Sequence, residues 1–148
     1  MAVRELRNVT KQEGPSLLFV MEMKILAERV ESLQATLGFA GCFSVSSNGL
    51  SGGVGLFWSA DVTVRLKIFS SYHIDVMVRK EGQSEMEWRL TGFYGARRAE
   101  DRHHSWRCLC TLLGMEHSEW LCLGDFNETL SATVLRSTFP ERRDLSGR

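Results

Sequence analysis

An aspartate and an asparagine stand two residues apart at the end of an apolar run: Leu121, Cys122, Leu123, Gly124, Asp125, Phe126, Asn127 and Glu128. A buried strand that ends this way delivers a carboxylate and a carboxamide to a sheet edge. An extended backbone points side chains two residues apart to one face. Such a pair suits phosphodiester cleavage, with the carboxylate activating water and the amide orienting a phosphate oxygen. The same residues also suit a plainer task, capping a helix that follows a strand, because Asp and Asn are good N-caps and turn formers. Both readings stand on this segment alone.

Two more polar side chains close apolar runs. Glu22 directly follows Leu17–Met21, and α/β sheets place ligands at the carboxyl ends of their strands. Glu22 equally favours the positive end of a following helix. Tyr94 lies in the run Thr91, Gly92, Phe93, Tyr94, Gly95; its phenol can donate to a phosphate, or simply pack within a sheet. The glycine-rich stretch 51–58 has no G-x-x-x-x-G-K-[ST] pattern and reads as tight sheet packing, not a phosphate loop. His103 and His104 are adjacent near a helix start. They are expected to point to different faces, as surface residues and not as a metal pair.

The elements that must carry these residues follow from periodicity. Val3, Leu6 and Val9 recur at helical spacing and predict an amphipathic helix over 3–12, broken at Gly14 and Pro15. Residues 17–21 form a short apolar strand of the kind buried on both faces. Ile25, Leu26, Val30, Leu33 and Leu37 predict a second helix, stopped by Gly38. The period then changes to two. Strands are expected over 41–46 and 53–58, joined by a turn at Ser47, Asn48 and Gly49. Alternation at Val62, Val64, Leu66 and Ile68, and again at Ile74, Val76 and Val78, predicts two more. A strand over 86–94, a helix over 99–113 and a strand over 120–124 complete a mixed α/β layer architecture with helices on one side of the sheet. After residue 130 periodicity is lost and arginines crowd the chain, so 131–148 is expected to be a disordered tail.

Composition bounds the function. At 148 residues the chain is long enough for one domain with a real core. Lys+Arg and Asp+Glu balance at 18 each, so the chain is no obvious electrostatic binder of nucleic acid, and any DNA contact must rest on a local patch. No apolar run reaches the length of a membrane span, and no signal-peptide core is evident. A nuclear or cytoplasmic protein without membrane contact is expected. Cys42, Cys108, Cys110 and Cys122 contain no C-x-x-C pair and read as reduced, structural thiols.

Four motifs in order carry a resemblance. Leu18 to Lys24 places an apolar strand before E-x-K. Ser51 to Trp58 follows a G-G-x-x-x-x-W pattern. Gly92, Phe93, Tyr94 and Gly95 come next, and Leu123 to Glu128 comes last. Between Val3 and Leu130 the chain resembles the endonuclease/exonuclease/phosphatase superfamily with the DNase I-like fold. Within it, the chain is most similar to the endonuclease domain of plant non-LTR (LINE-type) retrotransposons. The resemblance implies that Glu22 binds a divalent metal and Tyr94 contacts the scissile phosphate. It implies that Asp125 orients or deprotonates the attacking water and that Asn127 holds a phosphate oxygen. The implied cofactor is Mg2+, with Mn2+ as an alternative, since hard cations prefer oxygen ligands. The implied substrate is DNA.

The chain also departs from that family. It begins after the family's W-N-x-R-G-like strand, and nothing after Asn127 supplies the family's Asp-His pair. His103, His104 and His117 precede the last motif and do not replace it. Met23 stands where Thr is common, and Arg97 where Pro is common. A partial DNase I-like sandwich is therefore expected, with the second sheet missing and an apolar sheet face left for a protein partner or aggregation. The favoured expectation is a truncated, retrotransposon-derived endonuclease domain with little or no activity, its tail altered by a frameshift or splice event. The alternatives are an active metal-dependent nuclease or phosphatase completed by a partner chain, a non-enzymatic interaction module, and a hydrolase of small phosphate esters or phosphoinositides.

Overall fold

Strand after strand in this chain must bury apolar side chains on at least one face, and stacking two sheets meets that demand. The structure, a computed structural model, describes residues 3–23, 27–46, 53–82, 86–115 and 119–127. Helix α1 (Val3–Glu13) leads into β1 (Leu17–Met21), then α2 (Ala27–Leu37), β2 (Gly41–Val45), β3 (Val54–Trp58), β4 (Val62–Phe69), β5 (His73–Lys80) and β6 (Trp88–Tyr94). A short 3-10 turn (Ala99–Asp101), α3 (Arg102–Leu113) and β7 (Trp120–Asp125) follow. The expected turn at 47–49, the boundary at 130 and the tail 131–148 lie outside the described residues.

The strands divide into a three-stranded sheet, β1-β3-β2, and a four-stranded sheet, β4-β5-β6-β7. Every pairing is antiparallel except β6 with β7, which is parallel. The sheets share one core. Val54 and Leu56 of the first meet Ile74, Val76, Val78 and Leu90 of the second, all at most 1% exposed. Burying each such side chain contributes roughly 1.5–3 kcal/mol.

Cross-sheet contacts set the alignment. Phe43 of β2 packs edge-on to Phe69 of β4 at 5.0 Å. At the other side, the Phe19 ring of β1 fills the space where Gly92 of β6 has no Cβ, and any larger residue there would collide with it. The Met21 Sδ accepts the Asp125 N–H at 3.3 Å. The carboxyl ends of β1, β6 and β7 are thereby brought to one corner.

The mixed α/β, largely antiparallel partial sandwich is present, but both of its sheets are there. The outer face of the first sheet, with Leu18, Val20 and Phe57, packs on Val30 and Leu33 of α2. The outer face of the second is covered by α3, whose Leu112 is buried. Helices therefore lie on both sides, and most of the apolar sheet face expected to be open is buried between the sheets. Alternation tells which side chains of a strand face a core, yet it is silent on which strands share a sheet. The chain changes sheet at the turn between β3 and β4. In α1, the only buried residue is Thr10, while Val3 and Val9 remain 47% and 43% exposed.

Under α3 lies a fully buried ion pair. Arg89 donates from Nε to Asp75 Oδ1 at 2.9 Å and from Nη2 to Oδ2 at 3.0 Å. Its Nη1 donates to the Leu112 carbonyl at 2.5 Å. Breaking such a pair from one side leaves a charge stranded in the interior. Arg89→Ala is expected to lower stability by about 3–5 kcal/mol in equilibrium urea unfolding. The double variant Arg89→Met with Asp75→Leu should recover much of that loss. A single-variant loss below about 1 kcal/mol would contradict this role.

Candidate active site

Three strands deliver their last polar residue to the same corner. In the parallel β6–β7 pair, Tyr94 is the register partner of Asp125. β1 stops at Met21, and Glu22 turns away with φ 55, a left-handed conformation unusual for a residue with a side chain. That turn sets the Glu22 carboxylate beside the phenol: Tyr94 donates to Glu22 Oε1 at 2.8 Å. Arg97 Nη1 approaches the same oxygen at 2.6 Å in an exposed ion pair.

Asp125 and Asn127 meet the corner differently from the extended pair expected. β7 ends at Asp125, and Asn127 adopts φ 51. The chain curls, and the Asn127 N–H is bonded to Asp125 Oδ1 at 2.9 Å. This is the local side-chain-to-backbone turn that Asp favours; the residues that a capped helix would need lie outside the described ones. The Asn127 carboxamide Nδ2 donates to the Gly95 carbonyl at 2.7 Å, and the Gly95 N–H donates to the Asp125 carbonyl at 2.7 Å. The loops after β6 and β7 are thus tied together. Gly124 makes the approach feasible: its φ of 142 suits glycine, and a Cβ there would collide with the Phe93 carbonyl.

Electrostatics holds Tyr94 in its neutral form. The residue is 3% exposed, and its phenol is pushed up from 10.0 to about 12. Burial is the main cause, followed by the hydrogen bond to Glu22 and its charge; Asp125 adds to the rise and Arg97 opposes it. A neutral phenol is a hydrogen-bond donor, able to contact an anionic oxygen. Glu22, Asp125 and the Asn127 carboxamide oxygen are hard donors of the type Mg2+ accepts, commonly through one or two carboxylates plus substrate phosphate. Among the described residues no three His, Cys, Asp or Glu side chains group closely enough to hold a metal ion unaided.

A cleft of about 630 Å³ opens beside the corner, with Tyr94 and Arg97 on one wall and Tyr72, His73, His104 and Cys108 on others. Three of these residues, Tyr72, His73 and Arg97, were not singled out for the site by the sequence. Arg97 stood out only as a departure from a family pattern, and nothing local marks it as the partner of Glu22. His73 opens an alternating strand and carries no signal of its own. Its Nδ1 lies 2.6 Å from Ser70 Oγ, and burial lowers its pKa while the charge of Asp75 acts the other way. His103 and His104 are exposed as expected, although their rings lie against each other with centroids 3.8 Å apart instead of diverging. All four thiols are free. Burial raises Cys42 and Cys108, and lifts Cys122 to about 11, so these three are poor nucleophiles.

Because the folded phenol binds its proton more tightly than the unfolded one, its contribution to stability is complete below pH 10. It is lost as pH rises towards about 12. Unfolding free energy measured across that window should fall, and Tyr94→Phe should flatten the fall. An unchanged slope in the variant would show that Tyr94 is not the titrating group.

No family model matches the chain, and no curated protein matches it in sequence. Its fold does have solved counterparts. TDP2 of D. rerio, complexed with single strand DNA product, matches with a TM-score of 0.57 at 13% identity, over 86% of this chain and 54% of that one. Truncated Caenorhabditis elegans TDP2 matches with 0.56 at 9% identity, over 86% and 55%. A selenomethionine form of TDP2 from Caenorhabditis elegans matches with 0.59 at 11% identity, over 86% and 42%. The chain thus spans about half the length of these proteins or less, and the likeness is one of fold. No helix among the described residues is long and apolar enough to cross a membrane. What the corner sits on is part of a DNase I-like α/β sandwich.

Proposed function

We propose that this corner is part of a metal-assisted, phosphodiester-hydrolysing site of the DNA-nicking type. In this reading the chain derives from a plant LINE-type retrotransposon endonuclease and has little or no activity as it stands. The observation that carries the reading is the meeting of Glu22, Tyr94, Asp125 and Asn127 from three separate strands at one corner. The fold it shares with TDP2, one structure of which holds a single strand DNA product, supports DNA as the substrate. The order of the four motifs supports the retrotransposon ancestry. A nuclear or cytoplasmic location would suit both.

Each residue has a role that its position allows. Glu22 would hold Mg2+, which when bound supplies charge stabilisation for the leaving oxygen. Tyr94, kept protonated, would donate to a phosphate oxygen. Asp125 would orient or deprotonate water, and Asn127 would steady a second phosphate oxygen. The reading of low activity is supported by what already engages these groups. Glu22 Oε1 receives both Tyr94 and Arg97, and the Asn127 amide is turned to Gly95. Among the described residues no histidine is hydrogen-bonded to any of the four, and hydrolytic groups that act as a unit fail together.

One observation favours a second reading, completion by a partner chain. The β4 edge is guarded by Arg65, Lys67 and a bulge between Leu66 and Ile68. β1 and β7, at the opposite side, carry no Lys or Arg, and Leu121 is 50% exposed. Unguarded apolar edges suit strand addition.

Incubation with supercoiled plasmid and Mg2+ tests the first reading. Folded protein is expected to leave nicked circles at the level of an EDTA control. Nicking abolished by both EDTA and Asp125→Ala would keep the chemistry and overturn the inactivity. Nicking that survives Asp125→Ala would remove this corner as its source.

A further inference from the structure

We propose that Arg97 is a tethered competitor for the divalent cation at Glu22, its guanidinium neutralising the carboxylate until the cation displaces it. The inference rests on the metal-assisted reading and adds a residue that sets the affinity of that site. Glu22 Oε1 accepts two donors, the Tyr94 phenol at 2.8 Å and Arg97 Nη1 at 2.6 Å. A carboxylate oxygen offers about two acceptor sites, so both sites of this oxygen are taken. A cation gains this oxygen only as one donor withdraws. A guanidinium in that place also repels a second positive charge, and a divalent cation more strongly than a monovalent one.

The two donors differ in which can yield. Tyr94 is buried, and its backbone is paired within β6 and donates to the Tyr72 carbonyl at 2.7 Å. Its phenol is therefore a fixed contact. The Arg97 side chain is 64% exposed and lies beyond the end of β6. The backbone leading to it is fastened. The Ala96 N–H donates to Ser105 Oγ at 2.8 Å, and the Gly95 carbonyl accepts Asn127 Nδ2 at 2.7 Å. Release therefore needs only rotation of the side chain, into the cleft that Arg97 lines. The carboxylate keeps its place when Arg97 leaves, held by the phenol and by the left-handed backbone of Glu22. An exposed ion pair is weak and screened by salt, which suits a contact that a cation has to displace.

Electron paramagnetic resonance of Mn2+, whose free-ion signal is lost on binding, reads this competition without any turnover. Arg97→Gln is expected to bind Mn2+ about 2- to 5-fold more tightly than the wild type, the factor given by ~0.4–1 kcal/mol for an exposed ion pair. The gap should narrow at high salt, which screens the pair. Glu22→Gln should bind more weakly than the wild type. Arg98→Gln removes the same charge one residue further on and should tighten binding less than Arg97→Gln does. Circular dichroism confirms that each variant is folded. If Arg97→Gln binds no more tightly while Glu22→Gln loses binding, Glu22 stands as a metal ligand and the proposal fails alone. If Glu22→Gln binds as the wild type does, the metal-assisted reading of this corner fails with it. Equal tightening in Arg98→Gln would put general charge in place of a specific competitor and overturn the proposal as well.

Discussion

A single buried guanidinium holds together the part of the molecule on which the rest depends. Arg89 is 1% exposed and Asp75 is fully buried, so the charge of each must be met by the other and by nearby polar groups. Arg89 is a β6 residue, yet its donors reach Asp75 on β5 and the last turn of α3 at Leu112. Thr91 Oγ1 donates to Asp75 at 2.6 Å and accepts the Trp120 indole N–H at 2.8 Å, which carries the network to β7. The Arg89 guanidinium also lies 5.1 Å from the centre of the Trp120 ring. Shifting any one of these elements would leave a polar group without a partner in a low-dielectric interior, at a cost of several kcal/mol. The network is directional where apolar packing is not, and it selects one placement of α3 and β7 among those that would bury similar area.

That placement reaches the corner through β7. The parallel pairing that begins with Arg89 beside Trp120 ends with Tyr94 beside Asp125. The opposing sheet contributes Glu22, aligned by Phe19 over Gly92 and by Met21 against the Asp125 N–H. The corner is therefore a junction of two sheets, and its geometry is inherited from their packing. Its left-handed residues, Glu22 and Asn127, are the places where the chain gives up regular structure, with an energetic cost of about 1–3 kcal/mol each. Two of the three converging strand ends, those of β1 and β7, thus carry a left-handed residue.

Charge adds a further constraint. With a net charge of zero, affinity for an anionic polymer has to be local. The loop after β6 holds Arg97 and Arg98 beside a cleft that also presents His104 and a partly exposed Tyr72. Arg97 is drawn to Glu22, which offsets one positive charge next to the phenol. Tyr94, Arg97 and Arg98 thus stand close together in the chain, at and just beyond the end of β6. The β1 and β7 edges lie next to the same corner, so a strand added to either would border it.

Much of this was legible in the chain. Period-two alternation at Ile74, Val76 and Val78, the helical spacing of Val30, Leu33 and Leu37, and the apolar runs before Glu22 and Asp125 located elements that the structure reproduces within a few residues. These are local properties, and local backbone geometry makes them readable. Alternation could not say that β3 and β4 belong to different sheets or that β7 runs parallel to β6, because pairing is a choice between distant segments. Nor could it foresee Arg97 reaching Glu22, or Asn127 turning back on Asp125 instead of extending beside it. By itself, then, the sequence determined which residues could do chemistry and that they stand at strand ends. Tertiary structure alone decided that those ends meet at one corner beside a cleft, because only the packing of two sheets, locked by a buried ion pair, brings them together.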